Sequence, residues 1–260
     1  AWVEGKEKWI GEVQDPATAE IAPRLLNEAM ETLRRMESGL NLLRQDADAR
    51  LAFCFANKAM SLQASWRDPA KKSSLRWRPF QLGFMLSVLE SVANPESPDR
   101  KVCDLLWVPT GGGKTEAYLA LVAFTMAYRR RRALRRTEGD RSGAGTAVIS
   151  RYTLRLLTLQ QFRRALAMIT ACEFLRVQQQ NGHFGWRPKG YGDSSDFIWG
   201  TARFSIGLWV GGKLTPNRLG DIFIDGRHLH GAISILLGKP GEGEPAQVLS
   251  CPACDTLLAF

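Results

Sequence analysis

Apolar positions in the first quarter of the chain recur at steps of three and four. Ile21, Leu25, Ala29, Leu33 and Met36 form one series, entered through Asp15 and Pro16, an N-cap type followed by proline at the first helical position. The spacing predicts a helix of about five turns that Ser38-Gly39 interrupts. Leu51, Phe55, Ala59, Leu62 and Trp66 make a second helical series, and both stripes are expected to face a core. The polar, proline-containing stretch at residues 68–74 then predicts a boundary, closing a helical N-terminal domain over 1–74.

Beyond it the pattern changes period. A helix is predicted over 79–93, a Pro-rich loop over 94–98, and a short apolar strand over 103–108. A glycine-rich turn leads from that strand into a long helix from Lys114 to about Arg135. Strands over 146–150 and 204–210 bracket a helix from about Arg155 to Gln178. Strand alternating with helix predicts an α/β fold with a parallel, doubly wound sheet over 75–240. Residues 241–260 then begin a Cys-rich insertion.

The turn itself carries the clearest chemistry. In Val108-Pro109-Thr110-Gly111-Gly112-Gly113-Lys114-Thr115, three successive glycines let the backbone curl so that N–H groups converge on an anion. The helix that follows adds its positive N-terminal end. Lys114 would reach the β- and γ-phosphates of a nucleotide, and the Thr115 hydroxyl would ligate Mg²⁺, with Glu116 next along the helix. A glycine-rich turn without a ligand is the plain alternative.

Composition narrows the partner. The 260 residues are 45% apolar, ample for one large or two modest cores, and the formal charge of +9 favours a polyanion such as DNA. No apolar run reaches the ~20 residues of a membrane span. The start AWVEGKEKW is unlike a signal peptide, and five unevenly spaced cysteines point to a reducing compartment, so a cytoplasmic protein is expected.

The stretch from Pro109 to Thr115 matches xPTGxGKT, the phosphate-loop form of superfamily 2 helicases, although Val108 replaces the first glycine of the general motif. Three further segments are similar to that family's motifs. Arg78-Pro79-Phe80-Gln81 resembles the RPxQ element, in which the glutamine amide reads the adenine edge, a task suited to adjacent donor and acceptor atoms. The segment Arg151 to Gln160, with Thr153 and Arg155, looks like the tail of motif Ia. Thr215-Pro216-Asn217-Arg218 is similar to motif Ib, with Asn217 where the family has glycine. Both motifs hold nucleic-acid backbone in the family, and hydroxyl, guanidinium and N–H donors suit phosphate. Capped turns with solvated arginines are the alternative.

Taken with AFCFANKAMSLQ and IGLWVGGKLTPN, these motifs resemble the helicase-like subunits of the DISARM antiphage defence system over about residues 50 to 255. The resemblance implies a RecA-like motor domain that uses ATP and Mg²⁺ on DNA beside a second subunit of the same system. The family's acidic DExx box has no match after the loop, and Asp225 is its nearest imitation. A second RecA-like lobe is likewise unmatched, so the chain is expected to be an inactive part of a larger ATPase. A nucleotide-binding scaffold that does not hydrolyse ATP, and a phosphate-loop ATPase that does not act on DNA, stay open.

Three other features invite a function. Cys251-Pro252-Ala253-Cys254 suits half of a Zn²⁺ site, its second pair lying beyond Phe260 or supplied by His228 and His230, with a redox-inert pair of surface thiols as the alternative. Six arginines between 129 and 136 suit either DNA backbone or a solvated helix end. Aromatic residues between Asn181 and Trp199 suit either base stacking or a lid folded over apolar surface.

Overall fold

The computed structural model describes residues 2–67, 75–109, 111–152, 155–211 and 214–258. Its helices are α1 (Trp2–Ile10), α2 (Pro16–Gln45), α3 (Ala47–Arg67), α4 (Pro79–Ala93), α5 (Lys114–Leu134), α6 (Arg155–Val177) and α7 (Ala232–Leu236). Among the described residues there are also a 3-10 turn (Pro98–Lys101) and four short strands: β1 (Gln179–Gln180), β2 (His183–Phe184), β3 (Ile222–Ile224) and β4 (Arg227–Leu229). Two compact units divide the chain, one of residues 1–151 and 171–203, the other of 152–170 and 204–260.

Asp15 caps α2 as its residue type predicts, its carboxylate accepting from the Thr18 N–H at 2.8 Å. The helix then runs through Ser38-Gly39 to Gln45 without a break. Gly39 marks a close approach instead: a Cβ there would overlap the Leu86 carbonyl oxygen of α4. The absent side chain lets two helices touch backbone to backbone. The first half of the α2 stripe does not face a core, because Ile21, Leu25 and Leu33 are exposed.

The first unit's core lies among α2 to α5. Small residues at Ala49, Ala52, Ala56 and Ala59 of α3, and at Ala117, Ala120, Ala123 and Ala127 of α5, recur at steps of three and four and are buried where these helices pack together. Leu51, Phe55, Met60, Met85, Leu89 and Phe124 fill the space around them. Each such side chain contributes roughly 1.5–3 kcal/mol by leaving water. The aromatic segment folds back onto this core. Trp199 is fully buried with its ring 4.2 Å from Phe55, and its indole N–H donates to the Trp186 carbonyl.

The parallel, doubly wound RecA-like sheet expected over 75–240 is not what the chain builds. Among the described residues the strands form two antiparallel two-stranded ribbons, β1 with β2 and β3 with β4, and the fold is mostly helical. Segments 103–108, 146–150 and 204–210 run without strand pairing. A parallel strand is buried on both faces, whereas Leu105 is 81% exposed, Trp107 88% and Trp209 99%. An apolar, β-branched run carries the composition of such a strand but not the neighbours that would ladder with it.

The arginine run is likewise drawn into the fold. Arg131 donates to Asp48 of α3 at 2.8 Å and to the Ile198 carbonyl, and Arg135 donates to the other Asp48 oxygen at 2.9 Å. Arg129 and Arg130 donate to carbonyls of Ala144, Thr146, Ser142 and Arg203. These guanidiniums satisfy loop carbonyls that helix and sheet ladders do not reach.

Candidate functional site

The glycine-rich loop expected to hold phosphate sits at the N-terminus of α5 and is braced by the start of α4. Gly113 is the N-cap of α5 with φ 93°, and Gly111 has φ 81°, left-handed geometry that glycine adopts without strain. Gly112 closes a turn by donating to the Pro109 carbonyl at 3.0 Å. Pro79 opens α4, and the buried Gln81 in its first turn lies against the loop. The Gln81 side-chain oxygen accepts from the Arg78 N–H at 2.8 Å, and its Nε2 donates to the Gly113 carbonyl at 2.7 Å. Arg78 adds a guanidinium donor to the Gly112 carbonyl at 2.8 Å.

Arg78, Gln81, Gly112, Gly113 and Glu116, which the motifs group together, are therefore neighbours in space. A Cβ on Gly113 would stand 2.8 Å from Gln81 Nε2 and 3.6 Å from a Glu116 carboxylate oxygen. The amide of Gln81 keeps one N–H and one lone pair beyond these two bonds. Lys114 Nζ donates to the carbonyls of Val108 and Pro109, so its ammonium lies across the loop rather than away from it. Thr115 is half-buried, and Pro109 and Gly111 are exposed. Thr110 lies outside the described residues.

These features fit an anion. The first turn of a helix leaves N–H groups without intrahelical partners, and its dipole places partial positive charge there. Gly111 and the cap residue Gly113, both at positive φ, lie at that end, and the Lys114 ammonium is held beside them by the Val108 and Pro109 carbonyls.

Comparison with known proteins agrees with the likeness read from the motifs. The chain is 38% identical, over 96% of its length, to the DISARM protein DrmA of Bacillus paralicheniformis (strain ATCC 9945a / NCIMB 11709 / CD-2). It spans 22% of that protein's length. No family model matches the chain.

The DrmA-like stretch includes the residues expected to hold DNA. Arg151 is exposed and belongs to the first unit. In the second unit Arg155 begins α6, Gln160 lies exposed on it, and Thr215, Pro216 and Asn217 follow Leu214 in an irregular segment with bends at Thr215 and Asn217. Thr215 donates its N–H to the Gly211 carbonyl at 3.5 Å, and Gly243 packs on the backbone of Thr215 and Pro216. Thr153 lies outside the described residues, as does the side chain of Arg155. No helix among the described residues is long and apolar enough to cross a membrane.

The cysteine pair forms a tight turn. Cys251 donates its N–H to the Thr256 carbonyl at 2.9 Å and accepts from the Asp255 N–H at 2.9 Å, with Ser250 and Leu257 bridged across the base. The Thr256 hydroxyl lies 3.1 Å from Cys254 Sγ. That hydrogen bond, the Thr256 backbone and then Cys251 lower the Cys254 thiol from its ordinary range. Two cysteines in one turn could supply two ligands to a metal ion. His228 and His230 instead converge on Asp221, a residue that sequence reading passed over. Asp221 Oδ2 lies 3.1 Å from His228 Nε2 and 3.0 Å from His230 Nδ1. The Gly231 N–H, then His230 and Ser234, hold the Asp221 carboxyl well below the usual carboxylate range. The His-x-His spacing was the visible half of this cluster.

Proposed function

We propose that this chain is the ATP-binding part of a DISARM defence-system subunit, and that the whole protein uses ATP and Mg²⁺ to move along or open DNA. The observation that carries the reading is the loop at the head of α5, braced by Gln81 and Arg78 in the order that helicase motifs place them. The 38% identity to the DISARM protein DrmA supports the defence role, and the net charge of +9 supports a polyanionic partner.

In this reading the amides of Gly111, Gly113 and Lys114, around the turn that Gly112 closes, hold the phosphates with the Lys114 ammonium. Gln81 and Arg78 position the loop and present the remaining amide N–H and lone pair to the base. Thr115 offers its hydroxyl to Mg²⁺, which supplies charge neutralisation on the phosphates. Arg151, Thr153, Arg155, Gln160 and Thr215 to Asn217 contact DNA through its backbone, without reading sequence. Cys251 and Cys254 contribute two of four ligands to a structural Zn²⁺. A second subunit of the same system is the expected protein partner.

The test is calorimetric titration of Mg²⁺-ATP into the full-length protein and its Lys114→Ala variant, together with hydrolysis measured with and without DNA. Uptake lost in the variant, and turnover raised by DNA, are expected. Uptake with no turnover selects a nucleotide-regulated scaffold. Equal uptake by both proteins, or none by either, ends the assignment.

A further inference from the structure

The β3–β4 hairpin turns through Asp225 and Gly226, both at positive φ, 50° and 74°. This two-residue turn sets the register, pairing Ile222 with Leu229 and Phe223 with His228. Extended by one position, the same register sets Asp221 opposite His230. Side chains alternate along a strand, so Asp221, Phe223, His228 and His230 share one face of the ribbon. Phe223 stacks on the His228 ring at 4.6 Å and 11°, which holds that imidazole in place.

We propose that Asp221, His228 and His230 form a binding site for a divalent first-row transition ion, Zn²⁺ foremost. Their ligand atoms all lie within 4.8 Å of one another. Two of the three edges, Asp221 Oδ2 to His228 Nε2 and to His230 Nδ1, are 3.1 and 3.0 Å. Ligands bound at ~2.0–2.1 Å to a tetrahedral ion stand roughly 3.3 Å apart, so the two Asp221 edges are within tenths of an ångström of a coordination shell and the His228–His230 edge, within 4.8 Å, closes by a small rotation of the imidazoles. Two imidazoles and one carboxylate suit zinc and its neighbours rather than Mg²⁺ or Ca²⁺, which take oxygen ligands.

The outer shell is also built. Asp221 Oδ1 accepts from the Gly231 N–H at 2.7 Å, and Ser234 Oγ lies 3.0 Å from Oδ2, so the carboxylate is fixed from two sides before any ion arrives. On binding, each imidazole presents a lone pair from the nitrogen that now faces Asp221, its proton moving to the far ring nitrogen. Three protein ligands leave at least one coordination position for water or a phosphate oxygen. The ion would also tie the end of β4 to the start of β3, a useful restraint because an isolated two-stranded ribbon is marginal in water.

The test uses the full-length protein carrying Cys251→Ser and Cys254→Ser, stripped with chelator, so that the cysteine pair cannot account for the result. Zn²⁺ alone is titrated against a chromophoric chelator, and bound metal is counted after desalting. One stoichiometric ion is expected at this site, with affinity falling by about tenfold or more in His228→Ala and in His230→Ala. His228→Ala leaves the Asp221 bonds to Gly231 and Ser234 intact, and an unchanged circular dichroism spectrum confirms that the hairpin persists. Zinc uptake lost entirely with the two cysteines, or equal affinity with and without His228, overturns the proposal.

Discussion

Arg131 of α5 and Asp48 of α3 form an ion pair of 2.8 Å in which the arginine side chain is only 4% exposed. Arg135 binds the same carboxylate from the surface, its side chain 62% exposed. Burial works to raise the Asp48 carboxyl, but the hydrogen bonds from Arg135 and Arg131 outweigh it and hold the group below its ordinary range. One acidic residue thus joins α3 to the far end of the helix headed by the glycine-rich loop. Twenty-one residues, about 30 Å, separate the two ends of α5.

Asp48→Asn is expected to destabilise the protein by about 3 kcal/mol, because it leaves a buried guanidinium without its main counter-charge. Arg135→Ala at the exposed partner is expected to cost less than ~1 kcal/mol. Urea unfolding of both variants checks the difference.

The pair also sets an acid response. Because the folded carboxyl is held below its unfolded value, its contribution is complete above pH ~4 and is lost as pH falls through the lower folded value. Wild-type stability should therefore fall more steeply than that of Asp48→Asn below pH ~4. Parallel slopes in acid titrations of thermal unfolding would contradict this origin.

Gly39→Ala tests the backbone contact between α2 and α4. Alanine raises helix propensity by up to ~1 kcal/mol, but its Cβ would overlap the Leu86 carbonyl. Overpacking costs typically ~1–3 kcal/mol, so a lower melting temperature is expected. Gly5→Ala in α1 meets nothing within 4 Å and serves as the control, with an equal or higher melting temperature.

Gln81→Glu tests the brace on the loop. The substitution keeps the acceptor for the Arg78 N–H but puts a carboxylate oxygen where Nε2 donates to the Gly113 carbonyl. The loss of that donor, worth about 1.4 kcal/mol or more, should weaken Mg²⁺-ATP binding by about tenfold in the full-length protein. Fluorescent-nucleotide titration measures it, and unchanged affinity would remove Gln81 from the site.

Trp199→Ala should cost about 3–5 kcal/mol, since the ring is fully buried against Phe55. Its Trp186 hydrogen bond is lost as well. Denaturant unfolding checks this magnitude, and a loss under ~1 kcal/mol would mean that the aromatic segment does not anchor on the helical core.

Local signals determined much of this protein before any contact was known. Asp15 with Pro16 marked the start of α2, Pro79 the start of α4, and the glycines before Lys114 the head of α5, because caps and left-handed turns are specified within a few residues. The order of the motifs likewise pointed to a DISARM protein, which the identity to DrmA matches. Tertiary structure alone decided whether the apolar runs around Leu105 and Trp209 would ladder into a sheet, whether Gly39 would break a helix or seat one, and which arginines would be buried. The Asp221–His230 juxtaposition is the local exception, since the two-residue Asp225-Gly226 turn fixes its register within ten residues of chain. A doubly wound sheet, the α2–α4 close approach and the Arg131–Asp48 ion pair each need a partner distant along the chain, and periodicity within one segment carries no information about where that partner comes to lie.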